Sequence, residues 1–110
     1  MANLRVSDTG SGAVSLSYTA PAGATFELNS VTIKFSAAPV TSQNLTIVLD
    51  SSLGAAYDVT LYSVDPSATA ATSIVWQPAA PLYLQPGDVV TLAYTNTDGR
   101  TWGATIAGRL

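Results

Sequence analysis

The side chains able to do chemistry are few, and the types that are missing decide more than those present. The 110-residue chain has no histidine and no cysteine, and Lys34 is its only lysine. It therefore lacks a side chain that titrates near neutrality, a thiol nucleophile and a thiolate metal site. Serines and threonines are abundant, but no activating partner accompanies any of them in the sequence. What remains is carboxylate chemistry from Asp8, Glu27, Asp50, Asp58, Asp65, Asp88 and Asp98. Two such groups can act as acid and base, as in glycoside hydrolysis, but a domain this small offers little cleft to hold them apart. The chain is read as non-enzymatic, and no cofactor is expected.

The same oxygens have a second use. Asn96, Thr97 and Asp98 in TNTDGR, with Asp50, Asp58 and Asp65 near other turns, are hard ligands of the kind calcium takes. Their spacing does not follow the D-x-[DN]-x-[DN]-G pattern of a calcium loop, so no metal is expected. Aromatic stacking is a third chemistry: Trp76, Trp102, Tyr62, Tyr83 and Tyr94 could form a platform for a sugar or a partner. The competing use of strand aromatics is core and cross-strand packing. Asn44-Leu45-Thr46 fits the glycosylation sequon, but it falls at the start of an expected strand and is read as coincidence.

The elements that must carry these groups are strands. Apolar residues recur with period two, the spacing of side chains that alternate between a core and solvent, and helical spacing wins over no long window. Strands are expected at 4–7, 14–19, 25–35, 44–50, 57–64, 73–77, 82–84, 89–95 and 100–106. Between them lie DTGSG, APAGA, SAAPVTSQ, DSSLGA, DPSATAATS, QPAAP, QPGD and NTDG, all rich in turn formers. Short strands at this spacing predict an all-β fold, a single jelly-roll-like sandwich of about eight antiparallel strands over residues 1–110.

Finer details follow from the same periodicity. In TFELNSVTIKF the apolar phase changes between Phe26, Leu28 and Val31, Ile33, Phe35, which predicts a bulge or corner at Asn29 and Ser30. Val14, Leu16 and Tyr18 alternate cleanly, as do Val90, Leu92, Tyr94 and Trp102, Ala104, Ile106. QPGD suits a type II turn, with Pro86 fixing φ and Gly87 taking positive φ. Asp98-Gly99 suits a tight hairpin joining the last two strands. The expected core is Phe26, Val31, Ile33, Phe35, Leu45, Ile47, Leu49, Val59, Leu61, Ile74, Trp76, Leu92, Tyr94, Trp102 and Ile106.

Charge narrows the partners. Only 10% of residues are charged, against roughly 25% in an average soluble domain. The net charge is −3, and the four cations Arg5, Lys34, Arg100 and Arg109 are scattered, which argues against nucleic acid. No apolar run is long enough to span a membrane, and MANLRVSDTG lacks the basic and apolar regions of an export signal. A surface made of Ser, Thr, Ala and backbone is weakly protected against association, which suits a subunit of an oligomer or a larger assembly. MANLRVSDTGSG, residues 1–12, reads either as an extended arm that adds to a neighbour's sheet or as the first strand of the domain's own sandwich.

The segments VTIKFSAAPVTSQNLTIVLDSSLGAAYDVTLYSVDPSATAATSIVW and LYLQPGDVVTLAYTNTDGRTWGATI resemble small virion proteins of tailed bacteriophages. The likeness covers roughly residues 28–106 and is carried by LYSVDPS, the QPGD turn and YTNTDGRTWG. It implies a non-enzymatic structural subunit of the virion, of the capsid decoration or cement type, which stabilises the shell by bridging neighbouring subunits. The implied partners are the major capsid protein or other virion proteins, together with copies of the chain itself, a trimer among the options. A neck, tail or fibre protein is the alternative within that class. A carbohydrate-binding or adhesive module using Trp102, Tyr94 or Trp76 is the alternative outside it. Contacts are expected at Leu4, Arg5 and Val6 of the N-terminal segment and at Asn96, Asp98 and Arg100 of the polar tip.

Overall fold

The computed structural model of the chain describes residues 3–110. The strands are β1 (Asn3–Gly10), β2 (Val14–Thr19), β3 (Phe26–Phe35), β4 (Leu45–Asp50), β5 (Val59–Val64), β6 (Ser73–Trp76), β7 (Leu82–Leu84), β8 (Val89–Tyr94) and β9 (Trp102–Arg109). A 3-10 turn at Ala55–Tyr57 is the only helical element among the described residues. One sheet runs β1-β9-β3-β6, with β7 also on β3, and the other runs β2-β8-β4-β5; every pairing is antiparallel.

The pairs are nested. β4 pairs with β5, β3 with β6 and β7, β2 with β8, and β1 with β9, as if the chain were one long hairpin about the β4–β5 turn. Rolling that hairpin brings β9 against β3 and β8 against β4, and the result is a jelly roll. The expected all-β sandwich is thus met, with nine strands because β7 continues the edge begun by β6 along β3.

Alternation builds the core as expected. Val90, Leu92 and Tyr94 of β8 are buried, as are Trp102, Ala104 and Ile106 of β9. The phase change in β3 is a β-bulge: the register with β9 shifts between Leu28 and Ser30, Asn29 is exposed, and Phe26, Leu28, Val31, Ile33 and Phe35 all stay inside. Tyr18 packs on Phe26 with ring centroids 4.7 Å apart, and Phe35 meets Tyr94 edge-on at 5.5 Å, contacts worth about 0.5–1.5 kcal/mol each beyond their area. Opposite the bulge, Gly108 lets β9 approach so closely that a Cβ there would meet the Glu27 carbonyl oxygen and the Phe26 ring.

Two expectations are corrected. Val59, placed in the core by its phase, is 48% exposed. It begins an edge strand whose register with β4 shifts between Ile47 and Val48, at the margin of the sandwich. Leu61, Ile74 and Trp76, on the edge strands β5 and β6, pack on the core only in part for the same reason, and so does Leu49, which stands opposite Val59. The second correction concerns residues 95–101, which do not form a hairpin, because β8 and β9 lie in different sheets. Both edges of each strand are already taken, β8 by β2 and β4, β9 by β1 and β3. The loop crosses between sheets instead. Its turn is closed by the Gly99 N–H donating to the Asn96 carbonyl at 2.9 Å, with positive φ at Asn96 and Gly99.

The register sorts the loops into two ends. Loops 11–13, 36–44, 65–72 and 95–101 lie at one, here called the tip. Loops 20–25, 51–58 and 85–88 lie at the other, the base, where β1 begins and β9 finishes, while 77–81 runs along the β3 edge beside the bulge.

Candidate functional site

The polar tip is held together by side chains acting on loop backbone. Asn96 is only 4% exposed, and its amide nitrogen faces the carbonyls of Ser11, Gly12 and Arg100 at 3.2, 2.9 and 3.0 Å. Its Oδ1 accepts the Arg100 N–H at 3.1 Å. A short amide tolerates the left-handed backbone found here, and by filling these bonds it ties the 11–13 loop to the 95–101 crossover. Trp102 adds its Nε1–H to the Gly12 carbonyl at 3.0 Å.

Asp98 does the same work one loop further on. One carboxylate oxygen accepts the Val40 and Thr41 N–H groups, each at 2.9 Å, and the other accepts the Thr41 hydroxyl at 2.7 Å. These bonds from Thr41 and Val40 hold its pKa below the usual carboxylate value. Asp65 accepts the Ser42 hydroxyl on one oxygen and both the hydroxyl and the N–H of Ser67 on the other. The Ser42 and Ser67 hydroxyls lower its pKa to about 2. Gln43 and Thr97 exchange a further pair of bonds.

The base is built on the same plan. QPGD forms the expected turn, the Asp88 N–H bonding the Gln85 carbonyl at 3.0 Å with Gly87 at φ 88°. The Asp88 carboxylate is buried and accepts the Ser52 N–H at 2.8 Å, the Ser52 hydroxyl at 2.9 Å and the Gln85 N–H at 2.9 Å, which lowers its pKa. Asp58 accepts the Ser51 N–H at 2.8 Å. The oxygen groups considered for calcium are therefore divided between the ends, Asp50 and Asp58 at the base, Asp65, Asn96 and Asp98 at the tip. Among the described residues no three acidic side chains come together.

The aromatic platform is dismantled by burial. Trp102 and Tyr94 are 4% and 3% exposed and belong to the core, so neither offers a ring face to a ligand. Burial raises the Tyr94 pKa, with Asp98 and Asp65 adding to the effect, and its hydroxyl has no hydrogen-bond partner. Tyr62 and Trp76 stack on each other at 6.4 Å, across the margin where β5 of one sheet and β6 of the other leave the sandwich open. Tyr83 alone of the five stands well exposed, at 54%.

The expected contact residues are dispersed. The described part of the N-terminal segment, from Asn3, pairs with β9 along its whole length, so the first-strand alternative is the one that forms; residues 1 and 2 lie outside the described residues. Leu4 and Val6 face inward and pack on the core, leaving Arg5 exposed on the outer face. Asn96 is corrected from contact residue to buried loop anchor. The Asp98 carboxylate is occupied by its own loop, and Arg100 is half-buried with its Nε enclosed and unpartnered.

Sequence reading missed a different surface. Leu53 and Tyr57 in the β4–β5 loop are 75% and 59% exposed, and Ala55, Ala56 and Val59 beside them are exposed too. LGAAY was the available signal, an apolar run inside what is otherwise turn chemistry. Beyond Asp58 follows β5, an edge strand of sequence VTLYSV with no charge of its own to block pairing. By contrast β1, the outer edge of the other sheet, carries Arg5 on its outer face and Asp8 in the inward phase opposite Ala104. No protein-family model and no curated protein matches the sequence.

Proposed function

We propose that this protein is a non-enzymatic structural subunit of a tailed-bacteriophage virion, a capsid decoration or cement protein that bridges neighbouring shell subunits. The observation that carries the reading is the base-end surface formed by Leu53, Ala55, Ala56, Tyr57 and the uncharged β5 edge. Water disfavours such a surface on an isolated subunit, and a repeated lattice contact covers it. The acidic side chains support the same reading from the other side. Asp58, Asp65, Asp88 and Asp98 hold loops rather than meeting in a cleft, which is the economy of a rigid body and not of a catalyst. The resemblance of LYSVDPS, QPGD and YTNTDGRTWG to small virion proteins supplies the assembly. A subunit repeated many times on a shell binds through avidity, so each contact can be small.

The test is addition of purified protein to capsids lacking it, with light scattering for the free protein's mass. Saturation at a fixed stoichiometry and a raised capsid melting temperature are expected, both lost in a Leu53→Ser, Tyr57→Ser double variant. A protein that leaves capsids unchanged would remove the decoration role and shift the weight to neck, tail or fibre.

A further inference from the structure

We propose that the outer face of the β1-β9-β3 sheet carries a second, separate site at its base end, which binds an uncharged pyranose sugar through Tyr83, Glu27 and Arg109. The inference rests on register and is independent of the virion reading. β7, β3, β9 and β1 place Tyr83, Glu27, Arg109 and Asn3 directly opposite one another in succession, a single row of side chains across four strands. Opposed residues on one sheet face stand about 5 Å apart, close enough to act on one small ligand. Glu27, Tyr83 and Arg109 point outward, because their chain neighbours Phe26, Leu28, Leu84 and Gly108 are buried, and Asn3 opposite Arg109 is exposed.

The row borders a cavity of about 220 Å³ lined by Thr25, Glu27, Tyr83, Arg109 and Leu110. Arg109 Nε lies 3.4 Å from Glu27 Oε1. That is longer than the roughly 2.7–2.9 Å of a charge-assisted hydrogen bond, so the pair is loose and keeps acceptor and donor capacity for a third party. The chemistry on offer is one aromatic face, a carboxylate and a guanidinium fork within one concavity.

Each component excludes a class of ligand. Glu27 repels an anion, so phosphates and acidic groups are disfavoured. A purely apolar ligand would strip water from both charges and return no hydrogen bonds. A pyranose meets all three demands: an apolar C–H face for the Tyr83 ring, and neighbouring hydroxyls that donate to Glu27 and accept from Arg109. Two of the three groups sit on β3 and β9, strands paired on both sides, so the site is preorganised.

The experiment is a ¹H–¹⁵N NMR titration with glucose, galactose, mannose and N-acetylglucosamine, each to about 50 mM, above the roughly millimolar range of a weak single-sugar site. Saturable shifts confined to the amides around Thr25, Glu27, Tyr83, Arg109 and Leu110 are expected for at least one sugar. Tyr83→Thr should weaken that affinity about tenfold, and Tyr83→Phe should restore it to within about twofold, since the ring face does the stacking. Glu27→Gln should also weaken binding, and Lys34→Thr, on the same face near the tip, should not. All three substituted positions point outward, so an unchanged amide fingerprint verifies each fold. Absence of saturable shifts with every sugar, shifts centred elsewhere, or a Tyr83→Thr variant that binds as well as the parent would overturn the proposal.

Discussion

The close approach of β9 to β3 at Gly108 makes a demand that a single methyl group tests. A Cβ built at Gly108 falls well inside contact distance of both the Glu27 carbonyl oxygen and Phe26 Cζ, and the first of these is backbone. Non-bonded carbon contacts settle at about 3.5–4.0 Å, so Gly108→Ala must move two paired strands apart by about 1 Å or more. Overpacking costs about 1–3 kcal/mol and each weakened ladder bond about 1 kcal/mol, which sets the expected loss at about 3–4 kcal/mol. Gly103 supplies the internal control, since it lies on the same strand and a Cβ there meets nothing within 4 Å. Relief of the glycine penalty in a strand should make Gly103→Ala more stable by about 0.5–1 kcal/mol. The same chemical change five residues apart then moves stability in opposite directions. Urea unfolding at matched m-values reads both shifts. A Gly108→Ala protein within about 1 kcal/mol of the parent would refute the packing described at the bulge, and so would equal losses at the two positions.

Other consequences can be measured on the same material. Tyr94→Phe removes a buried hydroxyl that has no partner, so unfolding free energy should stay level or rise by about 1 kcal/mol; a loss of 2 kcal/mol or more would reveal a missed hydrogen bond. Asn96→Ala deletes the side-chain contacts to Ser11 and Gly12 of the neighbouring loop and to Arg100 of its own loop, puts alanine at φ 56°, and should cost about 2–4 kcal/mol, with Asn96→Gly recovering the backbone part of that loss. The folded pKa values of Asp65, Asp88 and Asp98 are depressed, Asp65 to about 2, so the unfolded chain takes up protons first as pH falls. Their contribution is full above about pH 4 and lost as pH drops toward 2; an acid unfolding profile should show that slope, and Asp65→Asn should flatten it. Tyr94 has the opposite sign: its raised pKa means stability is kept below about pH 10 and lost above it, a limb absent from Tyr94→Phe. Leu53→Ser with Tyr57→Ser should leave the unfolding free energy within about 0.5 kcal/mol of the parent, since both side chains already face water.

Local chemistry accounts for much of this protein. Period-two alternation in FELNSVTIKF, VVTLAY and WGATI determined which faces are buried, because a pleated strand has only two faces and water sorts them. The phase slip at Asn29 announced its bulge, and Pro86-Gly87 announced its turn, since both are conditions on φ and ψ that a few residues settle alone. The absence of histidine and cysteine likewise restricts the chemistry open to the chain.

Pairing was decided elsewhere. Asp98-Gly99 carries the signal of a hairpin, yet whether two adjacent strands pair depends on which other strands have claimed their edges, and β8 and β9 were each claimed twice from far along the chain. Val59 has a core residue's phase and a surface residue's exposure because an edge position is a property of the sheet. Asn96 and Asp98 read as an offered polar tip until loops 11–13 and 36–44 came to meet them. The row of Tyr83, Glu27 and Arg109 draws on three segments well separated along the chain, and only the rolled pairing of β7, β3 and β9 sets them side by side. Periodicity is local and survives in one dimension; edges, corners and sites are made by long-range hydrogen-bonded partners, which the tertiary structure alone assigns.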